Sequence, residues 1–322
     1  PTAENGLSFG LCDLPEEQRR AVAVYDPQRD GHLLVVGASG CGKTTALVAL
    51  SRAARAVVWV PSACDAAWDA VADLVTDLDR AGRADPVADR LVLVDDLDSL
   101  VARFDGDHRG GFAELLGRVL RDGPARGIRA VVSVQRLSAH TQAIAAGMPS
   151  RLLLRHASRQ DFVLAGGEGA QYVDDLPPGG GLWRGHRVQV ALAATAQPRE
   201  AVARVMALTP GRPLAVVTTR AADLLRRYPG SVSLSEVTGE LRASAPPTLL
   251  VGDVEEWQSR WGAIAAVKST AHILFDGCST SDYRALTRSR HLPPPISPGV
   301  CWLLGEDGMA SRAILPPTAG GG

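Results

Sequence analysis

Along the first 200 residues, short unbroken apolar runs alternate with longer amphipathic stretches. The runs cover 33–36, 56–60, 91–94, 130–134, 151–154 and 188–192, and several are rich in valine. Continuous apolar runs, without in-and-out alternation, are how strands covered on both faces read. The stretches 44–54, 65–80, 110–122 and 138–146 between them read as helices. This βαβα order predicts an α/β domain on a mostly parallel sheet. Gln197-Pro198 and Pro210-Gly211-Arg212-Pro213 punctuate the chain, and the charge balance turns there from slightly acidic to slightly basic. Two domains are therefore expected, 1–205 and a smaller 206–322.

The chain has 322 residues, 46% hydrophobic and 21% charged, which is enough to bury a core and too apolar for a disordered chain. A net charge of −1 lacks the basic excess of an obvious nucleic-acid binder. No apolar run approaches the roughly 20 residues that a membrane helix needs. Cys12, Cys41, Cys64, Cys278 and Cys301 show no CxxC spacing and suit a reducing cytosol, not a disulfide framework or a zinc site. The chain begins at Pro1 without a signal-peptide pattern, so it is read as a cytoplasmic part of something longer, with any membrane tether expected upstream. Of the 34 basic residues only Lys43 and Lys268 are lysines. Where so arginine-rich a chain keeps a lysine, the position merits attention.

Lys43 stands in Gly37-Ala38-Ser39-Gly40-Cys41-Gly42-Lys43-Thr44, a full GxxxxGK[ST] phosphate loop, with an apolar strand running in and a helix through Thr45 running out. The glycines let backbone N–H groups curl around phosphates, and the helix N-terminus adds its dipole. Lys43 brings a compact charge to the β- and γ-phosphates of a nucleotide, where an arginine fork fits poorly, and Thr44 is a ligand for Mg²⁺. Fifty-two residues further on, a second apolar run ends in Asp95 and Asp96. Asp95 at the strand end suits Mg²⁺, held through water, and Asp96 suits a general base for the attacking water. Asp98 is expected to face solvent or cap the next helix. A third run ends at Gln135, a residue that senses the γ-phosphate, orients water, or simply lies on the surface.

These residues resemble the FtsK/SpoIIIE family of RecA-like motor ATPases. The likeness extends over 31–37 (GHLLVVG), the Asp95–Asp96 pair, 127–136 (GIRAVVSVQR), 149–155 (PSRLLLR), and 178–182 (PGGGL) followed by 188–190 (VQV). The opening 9–18 (FGLCDLPEEQ) is similar to the type VII secretion (EccC/EssC-like) branch. The resemblance covers residues 9 to about 195. It implies a RecA-like P-loop fold, ATP and Mg²⁺ as ligands, and assembly into a homo-oligomer (a hexamer) with the upstream polypeptide or a membrane complex. It also implies movement of either duplex DNA or a secreted protein. Within it Gln135 is the γ-phosphate sensor, and Arg159 is the best match for an arginine finger acting on a neighbouring subunit, with a solvated surface arginine as the alternative. Asp96 departs from the glutamate usual in DNA pumps, which bears on hydrolysis more than on nucleotide binding. The small DNA-reading winged-helix domain of chromosome translocases has no counterpart after residue 200.

The second stretch reads as a shortened echo of the first. Residues 248–253 (TLLVGD) resemble 90–95 (RLVLVD), 271–275 (AHILF) resemble 129–133 (RAVVS), and the hairpin-like 299–313 resembles 181–190. It lacks a phosphate loop, so it is expected to be a degenerate ATPase-like domain that docks a partner. Trp257 and Trp261 lie four apart, on one face of a presumed helix, as core or as an interaction patch. Three functions follow in order: a secretion ATPase, a DNA translocase, and a regulatory nucleotide-binding module with little turnover.

Overall fold

The computed structural model describes residues 6–80, 89–192, 201–237 and 248–317; Gln197 and Pro198 lie outside them. The chain divides into two compact units, Pro1–Val202 and Ala203–Gly322.

In the first unit the strands are β1 (Leu7–Leu14), β2 (Arg19–Tyr25), β3 (Leu33–Val36), β4 (Val57–Val60), β5 (Arg90–Val94), β6 (Ile128–Val134), β7 (Ser150–Leu154), β8 (Gly180–Trp183) and β9 (His186–Val190). The helices are α1 (Pro27–Asp30), α2 (Lys43–Ala53), α3 (Cys64–Arg80), α4 (Leu97–Arg103), α5 (Gly106–Asp122), α6 (Ala139–Ala146) and α7 (Arg159–Leu164). Among the described residues the sheet order is β2-β1-β9-β8-β7-β3-β6-β5-β4. The pairs from β4 to β7 are parallel, and those from β7 through β8, β9 and β1 to β2 are antiparallel. The parallel half is the α/β sheet that the apolar runs predict. Every residue of β3 and β6 is buried, which is why these segments carry no alternation. In the antiparallel wing β8–β9 is the expected hairpin, and β1–β2 is an addition to the expectation. The β1–β2 hairpin alternates buried and exposed positions and leaves Leu11 and Val22 half exposed, a one-sided pattern that differs from the parallel runs.

One face of this sheet packs Phe9, Tyr25, Leu33, Val35, Leu47, Leu50, Leu93, Leu152 and Trp183 into a single core, with Phe9 edge-on to Trp183 at 5.5 Å between centroids. Phe104 and Phe112 stack at 4.7 Å, and Trp68 meets His108 edge-on at 5.6 Å.

The second unit holds β10 (Leu214–Thr218), β11 (Val232–Ser233), β12 (Leu249–Gly252), β13 (His272–Asp276), β14 (Cys301–Leu304) and β15 (Ala310–Ala313), with α8 (Ala221–Arg227), α9 (Val254–Ser259), α10 (Ala263–Val267) and α11 (Thr280–Thr287). Its sheet order, among the described residues, is β11-β12-β10-β13-β14-β15, parallel through β13 and antiparallel beyond. The strand order around β10 matches that around β3. Each has one parallel neighbour on either side (β12 and β13, or β6 and β7), and the second of these continues into an antiparallel hairpin (β14–β15, or β8–β9). The echo is therefore shifted by one strand from the one read in the sequence. TLLVGD (β12) takes the place of β6 and not of β5, and AHILF (β13) takes the place of β7 and not of β6. Short valine-rich strands resemble one another whatever their neighbours, so likeness between two of them carries no topology. The hairpin ending is matched as expected.

The two tryptophans separate. Trp257, in α9, is 1% exposed and donates its indole N–H to the Val216 carbonyl at 3.3 Å. Helix α9 ends at Ser259, so Trp261 falls outside it and is 85% exposed. Among the described residues no helix is long and apolar enough to cross a membrane.

Trp257→Ala is expected to cost about 3–5 kcal/mol through the cavity it leaves, whereas Trp261→Ala should leave thermal unfolding almost unchanged. His32 supplies a pH test. Its Nδ1 accepts the Ala130 N–H at 2.9 Å, and its Nε2–H donates to the Leu120 carbonyl at 2.8 Å. Burial holds its pKa below the usual 6.5. The unfolded chain therefore binds the proton first, so stability is full above that usual value and falls as pH drops below it. Thermal unfolding between about pH 7.5 and pH 5 should show this loss, and His32→Gln should reduce it.

Candidate functional site

The loop between β3 and α2 sits where three strand ends meet. The Gly37 N–H donates to the Val134 carbonyl of β6 at 3.3 Å. The Ala38 N–H donates to the Arg155 carbonyl, just past β7, at 2.8 Å, and the Gly179 N–H, just before β8, donates to the Cys41 carbonyl at 2.8 Å. This crowding explains two glycines. A Cβ on Gly37 would lie 2.6 Å from the Cys41 sulfur, and one on Gly42 (φ +102°) would lie 2.9 Å from the Gly179 nitrogen. Gly40 (φ +70°) has nothing within 4 Å of a Cβ, so the outer side of the loop is open. Ser39 is exposed beside it, and Thr45 is half-buried in the first turn of α2. Burial pushes the Cys41 thiol up even with Lys43 nearby, so the sulfur stays a neutral filler.

Lys43 is 7% exposed. Its ammonium donates to the carbonyls of Gly37 at 3.0 Å and Ala38 at 3.2 Å, and lies 3.9 Å from an Asp96 oxygen. The Thr44 hydroxyl donates to Asp95 Oδ2 at 2.7 Å. Ser133, on β6, donates its hydroxyl to Asp95 Oδ1 at 2.5 Å and accepts the Asp96 N–H at 2.8 Å. Asp96 has left the strand conformation (φ +55°) and opens α4. Its carboxylate accepts from Ser99 Oγ at 3.1 Å and from the Gln135 side-chain amide at 3.2 and 3.3 Å.

The structure thus brings Lys43, Thr44, Asp95, Asp96 and Gln135 into one hydrogen-bonded cluster at the C-terminal ends of β3, β5 and β6, the usual place for ligands in open α/β sheets. Asp98 differs from its expectation. It is half-buried, and its carboxylate accepts the Gln135 backbone N–H at 3.2 Å, because α4 starts one residue after Asp96 and turns Asp98 back toward β6. Arg159 is exposed at the first position of α7, beside Gly169, and among the described residues no hydrogen bond or ion pair joins it to the cluster. Three participants were missed in the sequence: Ser133, the Arg155 carbonyl and Gly179. A serine within the wholly buried β6 run was the available signal for the first, and the triple glycine at 179–181 for the last. The donor set fits a nucleoside triphosphate with Mg²⁺: a loop open on its outer side at a helix N-terminus, one ammonium, and paired hydroxyl and carboxylate oxygens.

The second unit differs at the equivalent place. Thr218, Thr219 and Arg220 span the step from β10 to α8, so no phosphate loop is formed there. Arg220 instead pairs with buried Asp276, the last residue of β13, at 2.9 Å, and Thr218 Oγ1 donates to the same carboxylate at 2.9 Å.

The fold is a RecA-like α/β architecture, followed by a second α/β unit without the loop. Solved structures that share this fold include type VII secretion ATPase domains. Thermomonospora curvata EccC (ATPases 2 and 3), solved in complex with a signal sequence peptide, superposes with a TM-score of 0.58 at 14% identity, over 98% of this chain and 93% of that one. The cytoplasmic domain of the Thermomonospora curvata type VII secretion ATPase EccC gives 0.56 at 13% identity. That match covers 98% of this chain and 60% of the longer one, so the chain spans about three fifths of that domain. No protein-family model matches the chain, and no curated protein matches it in sequence.

Replacing Lys43 with alanine removes the only ammonium in the cluster. Charge-assisted hydrogen bonds contribute up to about 3 kcal/mol, so Lys43→Ala should weaken binding of a fluorescent ATP analogue by roughly a hundredfold or more.

Proposed function

We propose that residues 1–205 form an ATP-binding and ATP-hydrolysing motor domain that serves protein secretion of the type VII kind, with 206–322 as a degenerate ATPase-like domain. The observation that carries this reading is the Lys43–Thr44–Asp95–Asp96–Gln135 cluster under an open phosphate loop. In this reading Gly37 to Thr45 hold the phosphates, and Lys43 turns from the carbonyls of its own loop to the β- and γ-oxygens. Thr44 and Asp95 would hold Mg²⁺, which would supply neutralisation of the charge on those oxygens. Asp96 accepts the proton of the attacking water, and Gln135 orients that water and registers the γ-phosphate. Arg159 acts as a finger on the site of a neighbouring copy in a homo-oligomer, which is consistent with its exposure and its lack of bonds to its own cluster. The near-neutral charge favours a protein substrate over duplex DNA, which is gripped mainly through its phosphates. We assign the domain to the cytoplasm.

The second unit has an observation of its own. Beside Trp261 lies a cleft of about 480 Å³ floored by Ile264, Leu286 and Leu304, with Arg260, Lys268 and Arg288 around it and no carboxylate in its lining. Arg288 lies over the exposed Trp261 ring at 4.3 Å. Apolar floor and basic rim suit an acidic amphipathic peptide, in keeping with the signal peptide seen on EccC.

Steady-state ATPase assays over a range of protein concentration should show activity rising faster than linearly, as a finger in trans requires. Asp96→Asn should retain ATP-analogue binding and lose turnover by at least about a hundredfold; undiminished turnover removes Asp96 from its role. Tight duplex-DNA binding with a steep salt slope replaces the secretion reading with a DNA translocase. For the cleft, Trp261→Ala should weaken binding of a labelled type VII signal peptide without shifting the melting temperature.

A further inference from the structure

Ser133 is wholly buried on β6, at a strand position where every neighbour along the chain is apolar or in the cluster. The register pairs Val94 with Val132, so the next residues along, Asp95 and Ser133, fall side by side. Ser133 and Gln135, two apart on the pleat, face the same side and both meet the acidic pair. A hydroxyl has one proton to give and lone pairs to receive with. Ser133 uses both functions here, giving its proton to Asp95 Oδ1 at 2.5 Å and receiving the Asp96 N–H at 2.8 Å. Asp95 Oδ2 is held by Thr44 at 2.7 Å, so each oxygen of that carboxylate has a fixed partner. The Asp96 N–H has left the strand ladder because its residue adopts φ +55°, a conformation that side-chain-bearing residues seldom adopt. Ser133 supplies the partner that the ladder no longer provides.

We propose that Ser133 is a positioning residue that sets the metal-side carboxylate and the base relative to each other, so that one hydroxyl couples Mg²⁺ binding to activation of water. The proposal rests on the ATPase reading of the site. Alanine deletes both bonds at no steric cost, and threonine keeps the hydroxyl.

The test uses the full chain, titrated with a fluorescent ATP analogue with and without Mg²⁺, alongside kcat, KM, the Mg²⁺ midpoint of turnover and the melting temperature. Removing a group that orients a metal ligand typically costs about 10–100-fold in metal affinity or activity. Ser133→Ala should therefore bind the analogue like the parent without Mg²⁺ and lose about tenfold of the Mg²⁺-dependent gain. Its kcat should fall about 10–100-fold with KM little changed, and its Mg²⁺ midpoint should rise; Ser133→Thr should recover part of each. A lower melting temperature with the parent's Mg²⁺ gain and midpoint would mean a merely structural serine and overturn the proposal. A parent that binds no analogue overturns the site reading and this proposal together. A parent that binds it, with Ser133→Ala indistinguishable from it, overturns this proposal alone.

Discussion

Close approach of backbone to backbone governs this molecule. The loop after β3 is fastened to β6, to the exit of β7 and to the entry of β8 by peptide groups, not by side chains. Peptide hydrogen bonds need their carbonyl and N–H within about 3 Å, and that leaves no room for Cβ atoms at Gly37 and Gly42. The same fastening points the outer loop toward solvent and draws Lys43 inward onto its own carbonyls. The chemical groups of the first unit gather around this junction: Lys43 and Thr44 open the helix that leaves it, Ser133 lies near the end of β6, and Asp95 follows β5 directly.

Much of this is legible in the amino-acid chain, and the limits have physical causes. The parallel strands and the four long helices are visible because burial on both faces, or on one helical stripe, forces a simple apolar pattern. The β1–β2 hairpin escapes because its covering is one-sided and its sheet neighbour, β9, lies some 180 residues away along the chain. Lys43 and Thr44 are visible because their motif fixes residue type as well as spacing, and Asp95 and Asp96 because a carboxylate pair ends an apolar run. Ser133 is not, since a serine contributes through its neighbours and nothing in its local sequence names them. Asp98 was misplaced for a related reason: the turn that opens α4 at Asp96, through a positive φ, has no strong residue signature. The tryptophan pair was read on one helix because spacing of four suggests a shared face, but α9 stops between them.

The two units pair a sheet that carries the loop with one that does not. The strand order around β10 repeats that around β3, so the sheet does not depend on the phosphate loop to form. What replaces the loop is an ion pair, Arg220 with Asp276, supported by Thr218. A buried carboxylate needs a compensating charge and hydrogen bonds, and the chain supplies both from within. Lys268, the other lysine kept by an arginine-rich sequence, lines the Trp261 cleft.

The antiparallel wing has a mechanical meaning. Gly10 of β1 faces Val190 of β9; the Val190 N–H is bonded to the Gly179 carbonyl, and the Gly179 N–H to the Cys41 carbonyl inside the loop. The register of the amino-terminal hairpin against β9 and the seating of the loop are thereby tied through the two backbone bonds of a single residue, Gly179.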